Sequence, residues 1–129
     1  MNNRKIALLA IPVLAALFAI PVGLANASAC NSIVGTEGND KLSGTDGPDC
    51  IFGFGGNDKI QAGDGPDSIT PGDGIDRVNA GDGNDVIILE NDLVKDRINC
   101  GDGFDIVFYI GTVDPLDILH SCEVVRTVT

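Results

Sequence analysis

Aspartate returns once every nine residues at Asp40, Asp49, Asp58, Asp67, Asp76 and Asp85. Two places before each stands a glycine (Gly38, Gly47, Gly56, Gly65, Gly74, Gly83), and two places after each an aliphatic residue (Leu42, Ile51, Ile60, Ile69, Val78, Ile87). An unbroken match across six phrases is an internal repeat, and its period belongs to stacked architectures. A carboxylate held in a glycine-rich turn is a hard oxygen donor. With the free carbonyls of the turn it can supply the oxygens that a calcium ion collects, usually six to eight of them. Asn39, Asn57 and Asn84 directly precede three of the aspartates and carry further oxygen. A second acid three places ahead, at Asp46, Asp64, Asp73, Asp82 and Asp102, either adds a ligand or tunes the local field. Without a cation, carboxylates stacked in this way repel one another. Gly-Asp and Gly-Asn pairs are good turn formers in their own right, which explains scattered cases but not one aspartate at a fixed place in every phrase.

The elements that must position these groups follow from the same phrase. In the frame GTEGNDKLS (35–43) the first six places carry turn residues, and the last three alternate polar, apolar, polar, as in Lys41-Leu42-Ser43 or Arg77-Val78-Asn79. Three such residues make a very short strand that shows one side chain inward. One copy is not stable; stacked copies hydrogen-bond to their neighbours and bury a ladder of Leu, Ile and Val. The expected fold is therefore all-β, a solenoid of parallel strands. The period breaks through residues 89–95, where two residues are inserted, and resumes at Asp96 and Asp105. Val94 takes the glycine's place before Asp96, which argues against a cation site there, whereas Gly103 restores the pattern at Asp105. The tail from Tyr109 to Thr129 alternates apolar and polar residues in Cys122–Arg126, as expected of a cap that closes the last turn.

Composition fits a thin core. Aromatic residues make up 5% of the chain and Trp is absent, so a single apolar position per repeat needs help from metals or disulfides. Residues 1–27 have a short basic start (Arg4, Lys5), an apolar run and Ala25-Asn26-Ala27, which is the layout of a signal peptide cut after Ala27. An uncleaved anchor and a lipidated Cys30 are the lesser alternatives. All three place the repeats outside the cytoplasm, with secretion favoured and no stable membrane insertion once the leader is removed. Two of the eight basic residues fall in that leader; the other six stand against nineteen acids, a net charge near −13. Such a balance disfavours nucleic acid and anionic membrane and favours cations. Cys30, Cys50, Cys100 and Cys122 are an even set in an oxidising compartment. Of the three possible pairings, Cys30–Cys50 with Cys100–Cys122 is favoured, because each bond would clamp an end where stacking partners run out.

These phrases resemble the nonapeptides of the hemolysin-type calcium-binding (RTX) family over residues 35–108. The resemblance implies a parallel β-roll of about eight nonapeptide repeats, two per turn, with calcium between neighbouring turns on each side. Asp40, Asp58 and Asp76 would then line one flank, and Asp49, Asp67 and Asp85 the other, with Asp105 following the break. The implied inward ladders are Leu42, Ile60, Val78 and Ile51, Ile69, Ile87. The expected layout is a leader (1–27), a lead-in (28–34), the calcium-binding roll (35–108) and a cap (109–129). No Ser-His-Asp set or histidine pair is present, since His120 is the sole histidine, and no enzyme is expected. The function expected is an exported module that folds or stiffens on binding several calcium ions. The alternative is a surface adhesion element in which calcium is only structural, its protein or glycan partner unknown.

Overall fold

The computed structural model describes residues 29–129, so the leader expected at 1–27 lies outside the described residues. Eleven strands follow in order: β1 (Asn31–Val34), β2 (Lys41–Ser43), β3 (Asp49–Phe52), β4 (Lys59–Asp64), β5 (Ser68–Thr70), β6 (Arg77–Asp82), β7 (Val86–Glu90), β8 (Arg97–Asp102), β9 (Ile106–Ile110), β10 (Ile118–His120) and β11 (Val124–Val128). Odd-numbered strands form one six-stranded sheet and even-numbered strands a five-stranded one. All pairings are parallel. The chain thus winds from one sheet to the other and back, laying each coil on the one before.

Register follows the repeat. On the even sheet Leu42 lies opposite Ile60, Ile60 opposite Val78, and Val78 opposite Ile98. On the odd sheet Ile33, Ile51, Ile69, Ile87 and Val107 form the matching column. Both expected ladders are present, and they meet in one core. Ala62, Ala80 and Cys100 add a second buried column on the even strands. The inserted residues do not disrupt the stack. They come with longer odd strands, and β7 and β9 bury Leu89 and Tyr109 as an extra inward pair.

The coil count differs from the expectation. Eight repeats correspond to four coils, whereas six and five strands make about five. The additional strands are β1, β10 and β11, which lie outside 35–108 and have no glycine-aspartate turn of their own. Joining a parallel stack requires only backbone hydrogen bonds and one inward side chain, and Ile33 and Leu119 supply that side chain.

Disulfides join Cys30 to Cys50 and Cys100 to Cys122. The first ties the entry of β1 to β3, and the second ties β8 to the turn before β11, so each end of the stack is fastened to a coil further in. Their sequence separations of 20 and 22 correspond to about 3 kcal/mol each in the chain-entropy account. Reduction should therefore lower the urea midpoint by an amount equivalent to several kcal/mol, and an unchanged midpoint would show that the stack does not use its clamps.

Turn glycines allow the coils to approach. Gly81 has φ 112°, and a Cβ there would overlap the carbonyl oxygen of Gly63 one coil below. Gly111 has φ 99° but would meet nothing within 4 Å. Gly81→Ala should destabilise by more than the ~1–3 kcal/mol typical of a strained backbone alone, whereas Gly111→Ala should cost only that. Equal losses in chemical denaturation would rule out close stacking as the reason for the glycine column.

Candidate metal centres along the two flanks

Each coil is closed by two turns, one on either flank of the stack. On one flank the aspartate that ends each turn presents its Oδ1 to the backbone N–H of the equivalent aspartate one coil earlier. Asp40 donates to Asp58 (2.8 Å), Asp58 to Asp76 (2.7 Å), Asp76 to Asp96 (2.8 Å) and Asp96 to Asp117 (2.9 Å). The other flank runs from Asp49 to Asp67 (2.8 Å), Asp67 to Asp85 (2.9 Å), Asp85 to Asp105 (2.8 Å) and Asp105 to Glu123 (2.8 Å). These are two continuous carboxylate ladders, each spanning the stack from end to end. Most of their members are buried: Asp49, Asp58, Asp67, Asp76, Asp85, Asp96 and Asp105 are each at most 2% exposed.

Oδ1 is therefore satisfied, and the difficulty lies with Oδ2. On Asp58, Asp67, Asp76, Asp85 and Asp105 this atom is buried and has no hydrogen-bond partner. A buried acceptor without a donor is costly, and an anionic one more so. The neighbourhood offers more oxygen rather than donors. The place a Cβ would take on Gly53 is bounded by the carbonyl oxygen of Pro71 and by Oδ2 of Asp58. Carboxylate and carbonyl oxygens converging without a proton between them suit a hard cation. Among the described residues no three His, Cys, Asp or Glu side chains converge on one point. A cation held here would accordingly draw on backbone carbonyls beside one or two carboxylates, which suits calcium and not the thiolate and imidazole set of zinc.

The first coil is built differently. Oδ2 of Asp40 accepts from the backbone N–H (2.6 Å) and hydroxyl (2.9 Å) of Thr36, and Oδ2 of Asp49 from the N–H (2.6 Å) and hydroxyl (3.1 Å) of Thr45. Threonine thus supplies protons where later coils have none to give. Asn39 and Asn57 use Oδ1 to accept the backbone N–H of Asn57 and Ile75, and Asn84 Oδ1 accepts from Phe104. Asp46, Asp64, Asp73 and Asp82 are exposed at the rim of the turns, where Asp64, Asp82 and Asp102 stack in register.

The lost glycine before Asp96 does not exclude that residue from the ladder. The longer turn places the left-handed conformation at Leu93 (φ 62°), and Asp96 arrives in the same hydrogen bond as its neighbours. Asp117 and Glu123 have no glycine two places before them, Pro115 and Ser121 standing there instead. Their signal is weaker, an acid followed by two aliphatic residues, as in Asp117-Ile118-Leu119 and Glu123-Val124-Val125. Tyr109 donates its hydroxyl to Oδ2 of Asp117 (2.9 Å), so this acid has a proton donor from the core.

Burial raises the carboxyl groups of Asp67, Asp76, Asp85 and Asp96 to about 7, opposed in part by the backbone N–H that each accepts and reinforced by nearby acids. Asp58 and Asp105 shift the same way for the same first reason. A folded-state value raised above the unfolded one means the folded chain binds more protons. Stability without a cation is then greatest below the unfolded value of ~4 and is lost as pH rises through ~7. Calcium-free protein should accordingly show more β signal in circular dichroism at pH 5 than at pH 8. Saturating calcium should flatten that dependence by replacing the protons; an equal signal at both pH values without calcium would contradict the burial argument.

Residues 34–69 and 70–92 match the RTX calcium-binding nonapeptide repeat in four copies. Among curated proteins none matches the chain. The matched residues carry the six period-nine aspartates and the first rungs of both carboxylate ladders. Residues 34–92 of this chain are thus a run of RTX calcium-binding nonapeptide repeats.

Proposed function

We propose that the chain is an exported, non-enzymatic module whose coils fold or stiffen when several calcium ions occupy the two flanks. The observation that carries this reading is the set of buried Oδ2 atoms on Asp58, Asp67, Asp76, Asp85 and Asp105. Five buried, unpartnered carboxylate oxygens in a chain of formal net charge −11 oppose folding by desolvation and mutual repulsion. A dication bound between coils removes both penalties, and binding to the folded form alone stabilises it by mass action. Disulfides suit an oxidising environment, in line with export. Extracellular calcium modules commonly bind at ~10⁻⁴ to 10⁻³ M, and coupling between stacked coils would sharpen the response.

Asp58 and Asp40 give a discriminating pair. Asp58→Asn keeps an Oδ1 acceptor for the Asp40 N–H and removes the unpartnered anionic oxygen. This change should raise stability in calcium-free buffer at pH 8 and lower it in saturating calcium, so the two effects have opposite signs. Asp40→Asn, where Thr36 already satisfies Oδ2, should alter the calcium response far less. Calorimetric titration with calcium and then magnesium, together with thermal melts, reads both points. A loss of stability for Asp58→Asn that is the same with and without calcium would refute the assignment of this flank to a cation.

A further inference from the structure

The even sheet turns an unusual surface outward. Lys41 lies opposite Lys59, Lys59 opposite Arg77, and Arg77 opposite Arg97. Four of the six basic residues that follow the expected leader therefore form one column, a strand spacing of about 4.8 Å apart. All four are exposed. Among the described residues none of them is held in an ion pair or a side-chain hydrogen bond. Like charges directly opposite one another on a sheet are unfavourable, and this column sets three such pairs in succession. The acids that directly precede the four cations, Asp40, Asp58, Asp76 and Asp96, are engaged in the flank ladder, and the exposed acids of the strands, Asp64, Asp82 and Asp102, stand five residues along β4, β6 and β8.

Beside the cations runs a second exposed column, Ser43, Gln61, Asn79, Asn99 and His120. Asn99 Nδ2 donates to Asn79 Oδ1 (2.7 Å), which leaves hydroxyl and amide groups along the column free both to donate and to accept. The face is polar throughout, has no Phe, Tyr or Trp in either column, and carries one ring, His120, at its edge. The odd sheet differs, with Ile88 and Phe108 forming an apolar cluster with Val86, Ile106 and Val128.

We propose that the outer face of the even sheet binds a linear polyuronate, a polysaccharide with a carboxylate on successive sugars, laid across β2, β4, β6 and β8. Charge supplies the first argument: a row of unpaired cations at regular intervals complements a row of carboxylates along an extended polymer. The neighbouring column supplies the second. Sugar hydroxyls both donate and accept, as do the serine and amide groups, whereas a phosphodiester chain offers acceptors only. Single-stranded nucleic acid would also call for a series of stacking platforms, whereas this face has the one ring of His120 at its edge, and a lipid surface would call for apolar anchors. The proposal relies on the calcium reading only in that the coils must be folded. Each dication on the flanks would also remove two negative charges, which weakens the chain's repulsion of a polyanion.

Fluorescence anisotropy of a labelled galacturonate hexamer, titrated with the oxidised protein in saturating calcium, tests this. Wild type should bind, with an affinity that falls as salt rises. Lys41→Gln/Lys59→Gln/Arg77→Gln/Arg97→Gln should bind roughly tenfold or more weakly, as expected from losing several exposed ion pairs. The charge-preserving Lys41→Arg/Lys59→Arg should retain binding, and the smaller Lys59→Gln/Arg77→Gln change should fall between, so that the answer does not depend on one heavily altered protein. Unchanged affinity in the glutamine variants, or no binding by wild type with a full β signal, overturns the proposal. Tighter binding of a single-stranded oligonucleotide or of anionic vesicles than of the hexamer overturns the choice of partner. Circular dichroism with and without calcium on the same samples judges the calcium reading separately.

Discussion

One hydrogen bond, repeated from coil to coil, governs this molecule: an aspartate N–H donating to the carboxylate of the next aspartate along the flank. It sets the vertical spacing of the turns and brings each acid under its predecessor. It also buries the carboxylate, because an oxygen that meets a backbone N–H in the next coil cannot remain in bulk water. The cost falls on the second oxygen, which has no donor of its own in the middle coils. Order in the stack and appetite for a cation thus have the same origin. A neutral side chain could build the ladder without creating that demand.

The core is organised to tolerate this arrangement. Each coil offers few inward side chains, and Leu42, Ile60, Val78 and Ile98 face Ile51, Ile69, Ile87 and Val107 across a narrow interior. Little apolar area is buried per residue, so hydrophobic burial alone leaves a small margin against conformational entropy. Cross-links at both ends and cations along both flanks are the two supplements that such a stack can use. They act on different parts of the problem: the disulfides restrict the unfolded chain, while the cations neutralise the folded one.

Much of this could be read from the period. A fixed aspartate, a fixed aliphatic and glycine-rich turns identify the inward columns, the parallel order and the two flanks, because every coil repeats the same local physics. What the period hid lies where the phrase is imperfect. Asp96 lost its glycine yet holds its rung, since Leu93 takes up the left-handed turn. Asp117 and Glu123 lack the phrase altogether and join through backbone pairing to a stack already formed. Thr36 and Thr45 lie outside the fixed positions of the phrase, and their hydroxyls meet Asp40 and Asp49 only through the path of the folded turn. The cationic column was likewise hidden, because residues eighteen or twenty apart become neighbours only once the register is known.

The threonines of the first coil bear on assembly. The carboxylate ladders have a direction, each rung receiving its proton from the N-terminal side, so the first coil of any such stack begins with acids that no earlier amide serves. Left open, those acids would accept the last coil of another copy, and open-edged parallel stacks are prone to growing end to end into filaments. Here Thr36 and Thr45 fill the Oδ2 positions from within the coil, and Asn31 Nδ2 covers Oδ1 of Asp49 (3.0 Å). Both oxygens of Asp49 are thereby filled and one of Asp40, so hydroxyl and amide donors close the start of one flank fully and of the other in part.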